Sequence, residues 1–422
     1  MAKETENKPK AVIVGGSIAG ISCAHALLRA GWEVVVVEKS ASPPQANSTG
    51  AGVGLDTLSG RIIQSWLPQP ELYLQATLPL TIDQNQAVDR DNKTVRILAR
   101  DESMNFRAAH WADLHGLIYN GLPPEIFLWG HVFLSFAVSQ DKNSVTVKAK
   151  ALRTESIVEI QGDLLVGADG SLSSVRRTFL PNLKLRYSGY CAWRGLLDYS
   201  GNEDSETISG IRKAYPELGI GQYISLTRGS HSALYELPNK RLNWLWYVNL
   251  PEPQTKGSSI TSKASTAAVE HMHHEAEKVW LPEFVKVMKE TEEPFLNTIY
   301  DCDPLGKVFW DNVVLVGDAA HPTTPNGARS TNMSISDAAV LGHCLQKWGV
   351  ENLISALEEY QSMRVPVTSK QVLHSRRVGR IKQGLDLPDR RSFDPETASQ
   401  EECAELQHKS MPFFYDVPSF LS

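Results

Sequence analysis

The sequence of 422 residues has few cysteines, no excess of basic residues and no long apolar run. Its five cysteines are scattered without metal-ligand spacing, so reduced thiols are expected rather than a disulfide framework or a metal centre. The 42 Lys and Arg residues against 48 Asp and Glu residues give a net charge of −6, and no basic stripe indicates nucleic acid. No apolar stretch approaches the roughly 20 residues of a membrane-spanning helix, so none is predicted.

The two ends of the sequence carry no targeting signal that we recognise. Residues 1–10 are polar and lack the apolar stretch of a signal peptide. Residues 420–422 do not form a peroxisomal tripeptide. A chain of this length is expected to form two domains with a sizeable core. We therefore expect a cytoplasmic protein, either a monomer or a homodimer.

A glycine-rich turn lies between two apolar strands near the start of the chain. Residues 11–14 and 34–37 are continuous apolar runs, as buried parallel strands require, and Gly15-Gly16-Ser17-Ile18-Ala19-Gly20 follows the first of them. The turn leads into a helix whose N-terminus suits a pyrophosphate, and Glu38 ends the second strand where a carboxylate would accept hydrogen bonds from ribose. Ser17 replaces the second fingerprint glycine, so a turn without a ligand is the alternative. The flanking strands favour a dinucleotide, and Glu38 favours FAD or NAD over NADP.

The second motif spans residues 163–176 in the middle of the chain. An apolar strand leads into Asp169-Gly170, and Ser173 and Arg176 follow. Asp-Gly is a common turn pair, so this motif is weak by itself.

The third motif spans residues 313–322. An apolar strand ends in Gly317-Asp318, and a loop dense in helix-breaking residues, 321–328, comes next. A helix of small residues is predicted over 332–345. An ordinary strand, loop and helix is the alternative interpretation of this motif alone.

The three motifs in this order resemble the group A flavoprotein monooxygenases, which are FAD-dependent aromatic hydroxylases. The segment Tyr190-x-x-Trp193-Arg194-Gly195 resembles the branch that contains 2,6-dihydroxypyridine hydroxylase, urate hydroxylase and salicylate hydroxylase. The resemblance covers residues 11–380.

The resemblance implies an α/β fold with a Rossmann-like FAD-binding domain, an inserted and mainly β-sheet substrate domain, and a C-terminal helical segment. The expected bounds are 8–72, 106–180 and 300–365 for the FAD-binding domain, 73–105 and 181–299 for the substrate domain, and 366–422 for the C-terminal segment. A helix over 356–380 is expected to be interrupted near Pro366. The apolar residues 411–415 either cap the substrate domain or bind a second subunit.

The resemblance also implies which residues bind the cofactor. Asp318 binds the sugar–ribitol chain of the flavin, and the loop that contains Pro325 passes the isoalloxazine ring. The helix after this loop points its N-terminal amides at the O2 edge of the flavin, where negative charge develops on reduction. Asp169 and Arg176 organise the cofactor path, and Val132 lies where the backbone meets adenine. The full implied set is Gly15, Ser17, Ile18, Ala19, Gly20, Glu38, Lys39, Val132, Asp169, Arg176, Gly317, Asp318, Pro325, Ala328 and Asn332.

Two positions depart from the family pattern. Trp111 stands where the family usually carries an arginine that contacts the FAD phosphates or ribityl chain, and it supplies no charge. The family's Gly-Gln-Gly is replaced by Ala328-Arg329-Ser330, in which Arg329 either faces solvent or adds positive charge near the flavin. We still expect noncovalent FAD, with NADH or NADPH as a transient reductant. The sequence has no second Rossmann fingerprint, in agreement with the family.

Between the flavin motifs, the sequence predicts strands rich in aromatic residues. Trp193 and Tyr235 are candidates to line the reaction site together with Pro325, and core packing is the alternative for each aromatic residue. Alternation along the strands should aim about half of six aromatic side chains at the pocket: Tyr190, Trp193, Tyr235, Trp244, Trp246 and Tyr247.

A pair of histidines invites a metal interpretation. His271 and His274 share a helix face at the spacing i, i+3, but no Glu or Cys set accompanies them. A solvated helix face is therefore favoured, and no metal is expected.

The resemblance implies a monooxygenase that uses NAD(P)H and O2 to hydroxylate a small, electron-rich aromatic or heteroaromatic compound. The implied oxidant is a flavin C4a-hydroperoxide, from which the protein must exclude water. The alternatives are a related flavin epoxidase or reductase that acts on an alkene or isoprenoid, and a flavin-binding module without turnover.

Overall fold

The computed structural model describes residues 8–44, 51–253, 261–408 and 420–421. Strands and helices follow one another along the chain, and the strands of these residues form four sheets. The strands are β1 (Lys10–Val14), β2 (Glu33–Glu38), β3 (Gly52–Asp56), β4 (Leu78–Leu80), β5 (Ile82–Val88), β6 (Val95–Asp101), β7 (Phe106–His110), β8 (Phe127–Trp129), β9 (His131–Val138), β10 (Val145–Ala151), β11 (Ile157–Gly162), β12 (Leu164–Gly167), β13 (Arg186–Asp198), β14 (Gly221–Thr227), β15 (Ser230–Leu237), β16 (Arg241–Asn249), β17 (Thr261–Lys263), β18 (Phe295–Asp301), β19 (Phe309–Trp310) and β20 (Val313–Leu315).

The helices connect and cover these sheets. They are α1 (Ile18–Arg29), α2 (Thr57–Trp66), α3 (Leu72–Gln75), α4 (Trp111–Tyr119), α5 (Ser174–Phe179), α6 (Glu206–Ala214), α7 (Thr266–Val279), α8 (Pro282–Lys289), α9 (Ser330–Trp348), α10 (Leu353–Lys382) and α11 (Gln400–Ala404).

A six-stranded sheet forms the first half of the fold, with the order β19-β20-β12-β1-β2-β8. Its strands are parallel except for β19, and β1 lies between β2 and β12. The apolar residues of these strands are buried, as expected for parallel strands covered on both faces. Helix α1 packs closely on α9, because a side chain at Gly342 would meet Ala26 Cβ at 2.8 Å. Because β1, β12 and β20 run parallel, their carboxyl ends meet at one edge of the sheet. This edge carries all three sequence motifs.

An eight-stranded sheet forms the second half, with the order β17-β18-β13-β16-β15-β14-β5-β6. It is antiparallel except where β5 runs parallel to β14. One face packs with α6, α7 and α8 around a core that includes Trp193, Trp244 and Trp246. The other face carries Tyr190, Tyr235 and Tyr247. Alternation thus sends three of the six aromatic residues to each face. Of these six, Tyr235 and Tyr247 line the cavity described below, whereas Tyr190 is not among its lining residues. The predicted fold class is confirmed.

Helix α10 corrects the expected interruption at Pro366, since it runs through this proline from Leu353 to Lys382. Packing holds it on both sides of the proline. Before Pro366, Tyr360 Oη donates to the carbonyl oxygen of Leu315 at 3.1 Å. After it, Gly379 lies so close to Tyr190 that a Cβ would meet its hydroxyl at 2.4 Å. These contacts hold the helix on both sides of a residue that disfavours a helix interior. The apolar residues 411–415 lie outside the described residues.

Candidate active site

The glycine turn after β1 requires glycine for two reasons. Gly15 has φ +106°, and a Cβ there would lie 2.3 Å from the carbonyl oxygen of Ala168. The Gly15 N–H donates to the carbonyl oxygen of Val37 at 2.9 Å. Glu38 reaches the same turn, since its Oε2 accepts from the Gly16 N–H at 2.7 Å. The turn therefore joins the ends of β1, β2 and β12 in one tight corner.

The N-terminus of α1 opens at this corner. Ser17 is the N-cap and is exposed, but its side chain makes no capping hydrogen bond. Ile18 is buried below it, and Gly20 packs against the Gly15 carbonyl, where any Cβ would clash at 1.8 Å. The first amides of a helix without a capping side chain form an anion-binding position.

Three implied cofactor residues lie around this corner. Ala19 faces the third motif, because a Cβ at Gly317 would meet Ala19 Cβ at 2.9 Å. Lys39 is exposed directly after Glu38. Val132 is half-buried at the start of β9, three residues beyond Trp129, which pairs with Glu38. The structure thus brings the N-terminal members of the implied set to one region.

The second motif is tied together by Asp169 and Arg176. Asp169 accepts from the backbone N–H groups of Ser174 and Val175 at 2.7 and 3.1 Å, which fixes the start of α5. The buried Arg176 donates to the carbonyl oxygens of Asp318 and Ala319 at 3.2 and 2.8 Å. Arg176 therefore fastens the second motif to the third. Burial lowers its pKa, and nearby acidic groups oppose this change.

Asp318 is the carboxylate that this arrangement presents to the site. It follows β20 and Gly317, it is half-buried, and it lines the cavity described below. Its Oδ1 accepts from Ser330 Oγ at 2.6 Å, and its Oδ2 accepts from Ser171 Oγ at 3.4 Å. Two hydroxyl groups thus orient the carboxylate, and its exposed part is free to accept hydrogen bonds from a ligand.

A buried carboxylate on α9, Asp337, supports this loop. Its Oδ2 accepts from the Gly317 N–H at 2.9 Å and from His321 Nε2 at 2.5 Å, and its Oδ1 accepts from Arg364 Nε at 2.6 Å. Burial by itself raises the pKa of Asp337, but the charges of His321 and Arg364 outweigh it and hold the pKa at about 2. Asp337 therefore joins the third motif, α9 and α10.

Arg329 is buried and does not face solvent. Its Nη1 donates to Asp56 Oδ2 at 2.8 Å, so its charge is balanced by the carboxylate of Asp56 at the end of β3. The neighbouring Asn332 donates to the carbonyl oxygens of Gly54 and Ala328 at 2.9 and 2.6 Å. These bonds fix the start of α9 against β3. Ala328 has a φ of +54° at this point.

A cavity of about 310 Å³ separates the two halves of the fold. Asp318 and Ser171 line its side next to the six-stranded sheet, and Tyr235 and Tyr247 line its side next to the eight-stranded sheet. Pro325 borders it between them. Further lining residues are Arg194, Gln222, His231, Asn326, Lys382 and His408. The cavity therefore joins the flavin motifs to the aromatic cover.

The structure corrects the expectation for Trp193. This residue is buried in the core on the opposite face of the large sheet, next to Trp244 and Trp246. Alternation along β13 instead directs its neighbour Arg194 to the cavity.

Trp111 lies at the start of α4, near the glycine turn. It is half-buried and contacts the ring of His115 with a centroid distance of 5.7 Å. His115 in turn contacts the carbonyl oxygen of Gly16 through Nε2 at 2.8 Å. Trp111 thus packs against the residue that contacts the glycine turn.

Within the described ranges, no group of three or more His, Cys, Asp and Glu side chains could hold a metal ion. His271 and His274 are exposed on α7. In the same part of the chain, no helix combines the length and apolar character needed to cross a membrane.

Comparison with known proteins identifies the relatives of this chain. Residues 10–128 match the FAD-dependent oxidoreductase family, and residues 305–375 match an FAD-binding domain family. The chain is 26% identical over 401 residues to the 3-amino-4-hydroxybenzoate 2-monooxygenase PtmB3 of Streptomyces platensis, and the match covers 93% of both chains. It is 32% identical over 227 residues to the aurachin C monooxygenase/isomerase of Stigmatella aurantiaca, and that match spans 53% of both chains.

A solved structure shares the fold. The structure of 2,6-dihydroxypyridine-3-hydroxylase from Arthrobacter nicotinovorans matches with a TM-score of 0.75 at 20% identity, over 92% of this chain and 96% of that one. This chain is a relative of the group A flavoprotein monooxygenases. The predicted family resemblance is thereby confirmed.

The residues of this chain fit FAD. The uncapped N-terminus of α1 suits a pyrophosphate, and Gly15 allows the turn to pack directly against the backbone of Ala168, where a Cβ would clash. Asp318 presents a half-buried carboxylate where the cavity begins. Trp111, at the position of the expected arginine, supplies no charge.

Sequence reasoning missed several polar residues of the site. Asp337 and Asp56 lie within ordinary helix and strand patterns, and Lys382 and His408 lie in the tail, to which no motif was assigned. The position of Arg194 could have been predicted, since alternation along β13 places its side chain on the opposite face from that of Trp193.

Proposed function

We propose that this chain is an FAD-dependent monooxygenase that uses NAD(P)H and O2 to hydroxylate a small, electron-rich aromatic or heteroaromatic compound. The observation that carries the proposal is one cavity that is lined by Asp318 and Pro325 on one side and by Tyr235 and Tyr247 on the other. The names of the relatives support it, since PtmB3 acts on an aminohydroxybenzoate. Bound FAD would supply the activation of O2 with electrons from the nicotinamide.

The residues of the chain would hold and shield the cofactor. We assign the pyrophosphate to the α1 N-terminus with Ser17, the ribose to Glu38, and the ribityl chain to Asp318. The loop around Pro325 would border the ring, and the first amides of α9 would face its O2 edge. Arg176 and Asp337 would act as positioning residues, because they hold the third motif through Asp318, Ala319 and Gly317.

The substrate would lie between the flavin and the aromatic cover. Tyr235 and Tyr247 provide flat surfaces, and burial raises the pKa of both hydroxyl groups, so they remain neutral donors. His231 stacks on Tyr247 with a centroid distance of 4.2 Å and an interplanar angle of 9°. Burial lowers the His231 pKa, so a neutral imidazole faces the cavity. The two packed halves would exclude water from the reacting atoms.

The proposal includes the expected domain bounds, a cytoplasmic location and a monomer or homodimer. The five cysteines support the location, since each is buried and unpaired, as in reduced proteins.

The test is oxidation of NADH and of NADPH by the purified protein across hydroxybenzoates, hydroxypyridines, purines and terpenoid alkenes. Each product is analysed by mass spectrometry. We expect a ring substrate to gain one oxygen. Epoxides formed only from alkenes would replace the proposal with the epoxidase alternative. If the protein holds FAD but no compound stimulates its NAD(P)H oxidation, the alternative of a flavin-binding module without turnover would replace the proposal.

A further inference from the structure

Lys382 is a buried cation on the cavity wall. It is the last residue of α10, only 4% of it is exposed, and it lines the cavity. Gly379, one turn earlier, lies against Asn326, where a Cβ would meet Nδ2 at 2.5 Å. The end of α10 thus packs on the loop that contains Pro325, and Lys382 lies beside that loop.

The ammonium group of Lys382 lacks an acceptor. Among the residues that the structure describes, none forms a hydrogen bond or ion pair with it. The acid that stabilises its charge is Asp83, which is itself fully buried. Asp83 Oδ2 already accepts from the N–H and the Nδ1 of His408, at 3.1 and 2.9 Å. Burial lowers the pKa of Lys382 to about 8, and the charge of Asp83 opposes this change.

Arg194 adds a second cation to the same cavity. It is half-buried on β13, and its Nε is buried without a hydrogen-bond partner in the described part of the chain. The other arginine that borders the cavity, Arg329, is neutralised by Asp56. The carboxylate of Asp318 lies on the flavin side and is oriented by two serine hydroxyl groups. The substrate side of the cavity therefore carries positive charge.

Buried cations without acceptors are costly, and an anionic oxygen of a ligand would satisfy them. We propose that the substrate is an aromatic carboxylate and that Lys382 binds its carboxylate group, with Arg194 as the second cation. This inference rests on the proposed function and specifies its substrate class. Tyr235 and Tyr247 contact the ring, and Lys382 and Arg194 recognise the charge.

The first experiment uses the wild-type, FAD-loaded full chain and matched ligand pairs. Hydroxybenzoates and hydroxypyridine carboxylates are compared with their neutral amides, which have nearly the same size. Binding is measured from the perturbation of the flavin absorbance, and turnover from NAD(P)H oxidation. We expect the carboxylates to bind at least about tenfold more tightly than the amides. Equal affinity within the pairs would overturn the inference.

The second experiment compares Lys382→Met with Lys370→Met, which changes an exposed lysine on the same helix. Lys382→Met should abolish the preference for carboxylates, and Lys370→Met should retain it. A retained preference in Lys382→Met would assign the recognition to other groups and overturn the inference. Should Lys382→Met fail to fold, the wild-type comparison decides.

The two proposals fail in different ways. Hydroxylation of neutral aromatic compounds without any preference for carboxylates would overturn the substrate class and leave the proposed function intact. No turnover of any aromatic compound, charged or neutral, would overturn both.

Discussion

Asp337→Asn gives a sharp test of the support beneath the flavin motif. The substitution keeps the shape of the side chain and removes its charge. His321 and Arg364 would then lose their shared carboxylate in a fully buried position. The ordinary carboxyl pKa of 3.8 and the Asp337 pKa of about 2 differ by an amount that corresponds to about 2.4 kcal/mol. Loss of one partner from a buried charge pair costs about 3–5 kcal/mol. We therefore expect a loss of about 2–5 kcal/mol.

The assay is urea unfolding followed by far-UV circular dichroism near neutral pH. The control is Asp303→Asn, because Asp303 is 81% exposed and its ion pair with Arg376 lies at the surface. Asp303→Asn should leave the unfolding midpoint unchanged. An unchanged midpoint in Asp337→Asn would refute the reasoning.

The same carboxylate predicts the acid behaviour. The folded pKa is depressed, so the stabilisation is fully present above the unfolded pKa near 4 and disappears as the pH falls through about 2. The difference in unfolding free energy between wild type and Asp337→Asn should therefore shrink over this range. A difference that stays constant between these pH values would contradict the role of the charge.

Two further changes test the cofactor site. Asp318→Ala should weaken FAD binding by roughly tenfold to a hundredfold, because one charge-assisted hydrogen bond is lost, whereas His271→Ala on the exposed face of α7 should not change the affinity. Fluorescence titration of the flavin measures both, and equal affinity in wild type and Asp318→Ala would remove Asp318 from the site. Gly15→Ala should lower the thermal midpoint even without flavin, because its Cβ would meet the Ala168 carbonyl oxygen at 2.3 Å. An unchanged midpoint in a melting scan would show that the turn adapts.

The sequence predicts best what neighbouring residues decide. The strand, turn and helix around Gly15 follow from apolar runs and glycine spacing, and alternation divides the six aromatic residues equally between two faces. The same alternation could not say which half faces the cavity, and Trp193 was assigned to the wrong face. Register and face depend on the partner strands, which a single strand does not specify.

The polar interior could not be read from local patterns. Arg329 pairs with Asp56 across 273 positions, and His408 meets Asp83 across 325 positions. Lys382 ends an ordinary helix, and only the folded chain brings it to the cavity. The effect of Pro366 on α10 was overestimated for a related reason. Packing on both sides of this proline overrides its local tendency to break a helix.

Oxygen insertion is the central claim, and isotope labelling tests it most directly. The purified protein with FAD and NAD(P)H is given its best aromatic substrate under ¹⁸O2 in ordinary water, and the product is analysed by mass spectrometry. We predict that the new hydroxyl oxygen carries the heavy isotope, since it comes from O2. A product without the isotope, or NAD(P)H oxidation that yields only hydrogen peroxide with every aromatic compound, would contradict the account.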